Sequence, residues 1–200
     1  MELRRMVEND SFLVAKLHRE GITTGFLSTL GIVFLQRLYR AIDREKGGCV
    51  FVAADDGNFC GFIAGTIDIH STFRKVLIKN CLVLGVAIIQ YMFSAKNLIK
   101  MAETILYGFR SDGGKSEDRQ CRAELFSIVV ANAARGKGVG KCMVEKLEQY
   151  FKEKGIRQYK VVTASNNQGA NKFYRKCNFI LKSSFAHHGN VLNLYKKDIS

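Results

Sequence analysis

The stretch that most constrains this chain runs from Cys121 to Lys141 and reads CRAELFSIVVANAARGKGVGK. Residues 121–130 are apolar and β-branched enough to form a buried strand. Arg135 to Lys141 then packs three glycines and three cations into seven residues and runs directly into a segment of helical periodicity. A strand that empties into such a turn and then a helix makes an anion cradle. Glycine takes positive φ and lets a ligand approach the backbone closely. Successive N–H groups then point into one concavity, and the helix N-terminus adds partial positive charge. A phosphate or pyrophosphate is the guest that this chemistry selects.

Spacing decides which phosphate-binding pattern applies. A Walker A loop needs Gly five positions before Gly140 and Ser or Thr after Lys141, where this chain has Arg135 and Cys142. A dinucleotide fingerprint needs Gly where Lys141 or Met143 stands. Arg135-x-x-Gly138-x-Gly140 instead resembles the R/Q-x-x-G-x-G/A signature of the GNAT N-acetyltransferase superfamily. Downstream, Asn167, Ala170, Phe173 and Tyr174 match that family's N-x-x-A-x-x-F/L-Y helix, with Phe179 following and Asn178 where the family usually has Gly. Asn tolerates the left-handed region better than other non-glycine residues, so this departure is mild. The resemblance covers about residues 120–182.

The resemblance implies an α/β (α+β) fold with a mixed, mostly antiparallel central sheet, splayed at its centre and flanked by helices. It implies acetyl-CoA as co-substrate and an amine as acceptor. Backbone groups of Ile128, Val129 and Val130 would hold the pantetheine arm as an added strand. The amides of Arg135, Gly136, Lys137, Gly138, Val139, Gly140 and Lys141 would take the pyrophosphate. Asn167 would bond the cofactor arm, and Tyr174 stands where the family carries its general acid; a core aromatic beside Phe173 is the alternative, and the whole motif match favours the functional role. Glu124, early on the central strand, stands where several members carry a general-base glutamate. An edge glutamate paired with Arg122 or another surface cation is the alternative, and the residues alone leave both open.

The chemistry sets matching demands. An alkylamine with pKa near 10.4 is less than about 0.1% free base at neutral pH, so a base or a desolvating site is needed. The thioester oxygen needs a donor as it gains charge. The thiolate leaving group needs a proton or a hydrogen bond.

Lys and Arg outnumber Asp and Glu by 31 to 18, a net charge of +13. Between Arg135 and Lys182 the count is twelve cations to three acids, so the excess sits around the cradle. Like charge disfavours encounter with polycationic aminoglycosides or polyamines, whereas an anionic amino-sugar derivative suits the field. A protein or peptide amine is the enzymatic alternative, and a CoA-binding regulatory module without turnover is the non-catalytic one. Nucleic acid is disfavoured, because the basic side lacks the interleaved aromatics of single-strand binders. Six cysteines show no zinc or redox spacing, and His187-His188 reads as a turn, so no metal is expected. The start of the chain lacks an apolar leader, pointing to a cytoplasmic protein.

In chain order the expected elements are a strand from Leu3 to Met6, a helix to about His18 and a second helix capped by Ser28. A hairpin follows around Asp55-Asp56-Gly57-Asn58. Residues 70–110 are expected as a helical insertion between the third and fourth strands, with helices over Val76–Phe93 and Ala95–Tyr107, placed to cover the acceptor site or supply a homodimer contact. Its uninterrupted apolar core, Cys81–Ile89, falls short of the roughly 20 residues of a membrane span. A mobile loop is expected over 110–119. The whole chain, 1–200, reads as one domain.

Overall fold

In the computed structural model, which describes residues 1–22, 26–79, 121–187 and 190–199, the chain opens with strand β1 (Glu2–Arg5), a 3-10 turn and helix α1 (Ser11–Gly21). A single turn, α2 (Phe26–Thr29), and helix α3 (Gly31–Arg44) lead to the hairpin of β2 (Gly48–Asp55) and β3 (Asn58–Thr66). Helix α4 (Ile69–Lys79) leaves that hairpin. The central strand β4 (Glu124–Val130) runs through a 3-10 turn into helix α5 (Val139–Glu153). Strand β5 (Gln158–Ala164), helix α6 (Gln168–Lys176) and the hairpin of β6 (Ile180–His187) and β7 (Asn190–Asp198) complete it.

The strands form one sheet ordered β1-β2-β3-β4-β5-β7-β6. Every neighbouring pair is antiparallel except β4 and β5, which run parallel and share a single register position, Glu124 opposite Lys160. The sheet is therefore mixed, mostly antiparallel and split at its centre, as the resemblance implies.

Each face of the sheet carries its own core, which follows from the two-residue alternation of strands. On β2, Cys49, Phe51 and Ala53 join Met143, Leu147 and Phe151 of α5. Val50 and Val52 point the other way, to Leu35, Leu38 and Ile42 of α3 and to Val14 of α1. Burial on both faces explains the unbroken apolar run of β2.

Several boundaries depart from the sequence expectation for identifiable reasons. The second helix breaks into α2 and α3 at Gly31, whose φ of 82° interrupts the helical path. Ser28 is thereby released from capping, and its hydroxyl bonds the Ile22 carbonyl. The helix after β3 begins at Ile69 rather than Val76, because the Asp68 carboxylate accepts the Ser71 N–H at 2.9 Å and caps it. The rest of the insertion and the 110–119 loop lie outside the described residues. Asn178 has a φ of 65°, filling the left-handed position that glycine usually holds. Among the described residues no helix is long and apolar enough to cross a membrane.

The end of β5, α6 and β7 converge on one buried side chain. The Asn171 amide lies 2.9 Å from the Ala164 carbonyl and 2.6 Å from that of Asn167, while its oxygen accepts from Asn193 Nδ2 and the Tyr195 hydroxyl, both at 2.8 Å. Removing it strands several buried partners. Asn171→Ala is expected to cost about 2–4 kcal/mol, read from urea unfolding midpoints; a loss under about 0.5 kcal/mol would show that the junction is held otherwise.

Candidate active site

The site begins at the split. The Lys160 N–H donates to the Ala123 carbonyl at 3.0 Å, the strands pair at Glu124 and Lys160, and beyond that point they diverge. From there to Val130, β4 keeps β3 on one side and has no strand partner among the described residues on the other. Ile128, Val129 and Val130 lie on this open stretch. A bulge precedes them: Ala64 faces Ser127 and Gly65 faces Leu125, so Phe126 has no partner across the ladder. Leu125 and Ile128 join the α5 core, whereas Phe126 packs on the α1–α3 side, its ring 6.3 Å from that of Tyr39, and Val129 joins it there. Residues three apart thus share a face on each side, so the two-residue alternation slips by one position, the geometry a bulge imposes.

The cradle follows. Gly136 and Gly138 have φ of 78° and 82°, and nothing lies within 4 Å of where a Cβ would sit on either. Their role is conformational, holding the turn in the left-handed region of backbone space. No backbone acceptor is recorded among the described residues for the N–H groups of positions 136–141; Cys142 is the first to find one, on Gly138 at 3.1 Å. These donors sit at the positive end of a fifteen-residue helix. The arrangement fits a pyrophosphate by the chemistry of its donors.

Gly140 differs from the other two glycines. A Cβ there would lie 3.0 Å from Phe173 Cε2, so this glycine lets α6 cross the start of α5. The Arg135 guanidinium turns back to the Val130 carbonyl, Nε to O 3.2 Å, tying the cradle to the end of β4. Lys137 and Lys141 are exposed, and Lys141 lies 3.8 Å from Glu145.

Helix α6 carries the second group of candidates. Asn167 is its N-cap, accepting the Ala170 N–H at 3.1 Å, which engages the side-chain oxygen and leaves the amide nitrogen. Tyr174 is 6% exposed, its ring set edge-on to Phe173 and Phe179. Its hydroxyl bonds no described residue, yet no fully buried side-chain N or O among those residues lacks a partner. The hydroxyl is therefore within reach of solvent or ligand. Burial, with a smaller contribution from Cys177, pushes this phenol's pKa up, so it stays protonated at neutral pH.

The Glu124 side chain is largely covered. Arg122 reaches Asp68 at 3.4 Å, while the Glu124 carboxylate lies 3.9 Å from Lys160 Nζ, with side chains 13% and 4% exposed. The sequence reading missed Lys160, because one lysine in an apolar strand looks like a solvent-facing position. It also missed the role of Asn171 and a buried pair in the α1–α3 core, where His18 Nδ1 lies 2.6 Å from the Tyr39 hydroxyl. No pattern in the sequence joins residues 18 and 39.

A family model described as the acetyltransferase (GNAT) family matches residues 19–179. No curated protein matches the sequence. Among solved structures, an N-acetyltransferase from Staphylococcus aureus Mu50 superposes with a TM-score of 0.65 at 15% identity, covering 100% of this chain and 98% of that one. Ribosomal-protein-alanine N-acetyltransferase from Brucella melitensis gives 0.62 at 15% identity over 99% of both chains. PaiA N-acetyltransferase from Thermoplasma acidophilum, in complex with coenzyme A, gives 0.60 at 15% identity over 98% of both. The chain belongs to the GNAT acetyltransferase family. It is an acyltransferase that moves an acetyl group from acetyl-CoA to an amine.

Burial pushes the His18 imidazole down to about 4. The unfolded chain, with an ordinary histidine near 6.5, therefore binds more protons between those values, and stability must rise with pH across that window. His18 is expected to contribute up to about 3 kcal/mol that is fully present above pH 6.5 and lost as pH falls toward 4. Urea unfolding from pH 7.5 to about 4.5 checks this: His18→Gln should flatten the slope, and an unchanged slope would contradict it.

Proposed function

We propose that the acceptor is a primary amine on an anionic molecule, such as an acidic amino-sugar derivative, and that the acetyl group passes to it directly where β4 leaves β5. The observation carrying this reading is a β4 edge that no strand among the described residues covers, leading into amides at 136–141 for which those residues offer no backbone acceptor. A strand edge without a partner is matched by the amide groups of an extended pantetheine arm, and the cradle beyond it is matched by a pyrophosphate. The cationic excess between Arg135 and Lys182, twelve to three, supports an anionic acceptor.

Acetyl-CoA supplies the activated acetyl thioester. In our reading the backbone of Ile128, Val129 and Val130 aligns the pantetheine arm, and an amide near Val130 meets the thioester oxygen as charge develops. The amides of residues 135–141 hold the pyrophosphate, and the free amide nitrogen of Asn167 bonds the arm. Tyr174, kept protonated by burial, gives its proton to the departing sulfur. Glu124 takes the proton of the acceptor ammonium, directly or through water. The chain acts as one domain, 1–200, in a reducing cytoplasm, in keeping with the free cysteines at 49, 60, 121, 142 and 177.

A protein or peptide amine is the second reading, favoured by the likeness of fold to the ribosomal-protein-alanine enzyme of Brucella melitensis. A CoA-binding module without turnover is disfavoured by the reachable Tyr174 hydroxyl.

Thiol release from acetyl-CoA across acidic amino sugars, lysine peptides, N-terminal peptides, aminoglycosides and simple amines tests the proposal. Release with the acidic amino sugars is expected, with kcat lower by about 10²–10⁴ in Tyr174→Phe; release with peptides alone would select the second reading. Gly138→Val is expected to weaken acetyl-CoA binding at least about tenfold, measured calorimetrically. Unchanged affinity would show that the cradle is not the pyrophosphate site.

A further inference from the structure

The buried amide of Asn171 has an orientation that donor counting settles. Its nitrogen faces the carbonyls of Asn167, Ala164 and Ser165 at 2.6, 2.9 and 3.3 Å. Carbonyls only accept, so this end of the side chain donates and Oδ1 must receive. It receives from the Tyr195 hydroxyl and from Asn193 Nδ2, both at 2.8 Å. Asn193 thereby turns its own oxygen to the Ser184 hydroxyl, 2.7 Å away on β6. Asn171, Asn193 and Tyr195 are 3%, 8% and 0% exposed.

This network grips the helix that carries Tyr174. Asn167 caps α6, and Asn171 and Tyr174, three residues apart, lie on one face of it. Tyr195 meets that face twice: its hydroxyl holds Asn171, and its ring lies 6.0 Å from the Tyr174 ring at 41°. Two other rings touch Tyr174, those of Phe173 and Phe179. Of the three, only Tyr195 also carries a hydroxyl, and it spends that hydroxyl on the same helix. Ring contacts alone tolerate small slides of a helix, whereas a directional bond one turn before Tyr174 sets how far along the sheet α6 sits. Tyr195 is itself fixed, because β7 pairs with β5 along the whole of that strand.

We propose that Tyr195 is a positioning residue for acyl transfer: through Asn171 and through its ring it fixes the Tyr174 phenol where the departing sulfur takes its proton. This rests on the general-acid role of Tyr174 proposed above.

Tyr195→Phe deletes the hydroxyl and keeps the ring, and Asn193 remains as a donor to Asn171, so the fold survives the change. With the best amine acceptor found by thiol release, it is expected to lower kcat about tenfold to a hundredfold, with the KM for acetyl-CoA within about threefold of wild type. A residue acting through Tyr174 has nothing left to position once the phenol is gone. Adding Tyr195→Phe to Tyr174→Phe should therefore slow the enzyme less than about twofold further, whereas a purely structural role would multiply the two losses. Coenzyme A alone supplies a second readout that needs no acceptor. In protein with carbon-13-labelled tyrosine rings, the Tyr174 signal, assigned by its absence from Tyr174→Phe, should shift on saturation in wild type and by a smaller amount in Tyr195→Phe. Unchanged kcat in Tyr195→Phe, multiplied losses in the double variant, or an equal coenzyme A shift in both proteins overturns the proposal. Failure of the general-acid reading looks different: Tyr174→Phe alone would then turn over as fast as wild type.

Discussion

Everything functional in this protein depends on the point where β4 and β5 meet once and part. Parallel strands in one sheet normally continue to share hydrogen bonds. Here a single position, Glu124 opposite Lys160, is shared before the strands diverge. Among the described residues the divergence leaves the backbone donors and acceptors on one side of β4 with no strand to receive them, and unpaired backbone groups are costly once they are taken from water. In the proposed function, a ligand with amides of its own laid along β4 would complete what the sheet leaves open.

The two sides of the split are held by different means. On the β4 side the bulge and the return of Arg135 to Val130 fix the strand end. On the other side Asn171 locks α6 to β5 and β7, which places Tyr174 beneath its aromatic neighbours. The glycines of the cradle divide the same labour: Gly136 and Gly138 set backbone direction, and Gly140 makes room for Phe173 so that α6 can cross α5.

Features that live in local sequence were legible from it. The glycine spacing at 136–140, the capping and periodicity of α5 and α6, and the hairpin turn at Asp56-Gly57 with both φ positive each follow from a few consecutive residues. The split sheet was reached through the family resemblance, since no spacing within one strand reveals where two strands part. What escaped were contacts between distant positions. Lys160 and Glu124 are separated by a turn and a whole helix, and Lys160 reads as solvated until the fold covers it. His18 and Tyr39 meet only because α1 and α3 pack together. Asn171 looks like a surface residue of a polar helix, and three elements converge on it only after folding. Gly31 was passed over because a glycine near a helix start does not announce which sign of φ it will take.

Backbone amide spectra of nitrogen-15-labelled protein titrated with acetyl-CoA test the central claim most directly. Glycine amides fall in a distinct region of such spectra, so Gly136, Gly138 and Gly140 can be followed individually. If the cradle and the open edge hold the co-substrate, the largest shifts fall on residues 136–141 and on Ile128 to Val130, while distant amides such as those of β1 stay in place. Saturating binding that leaves the three cradle glycines unmoved would contradict the assignment of the pyrophosphate to this turn.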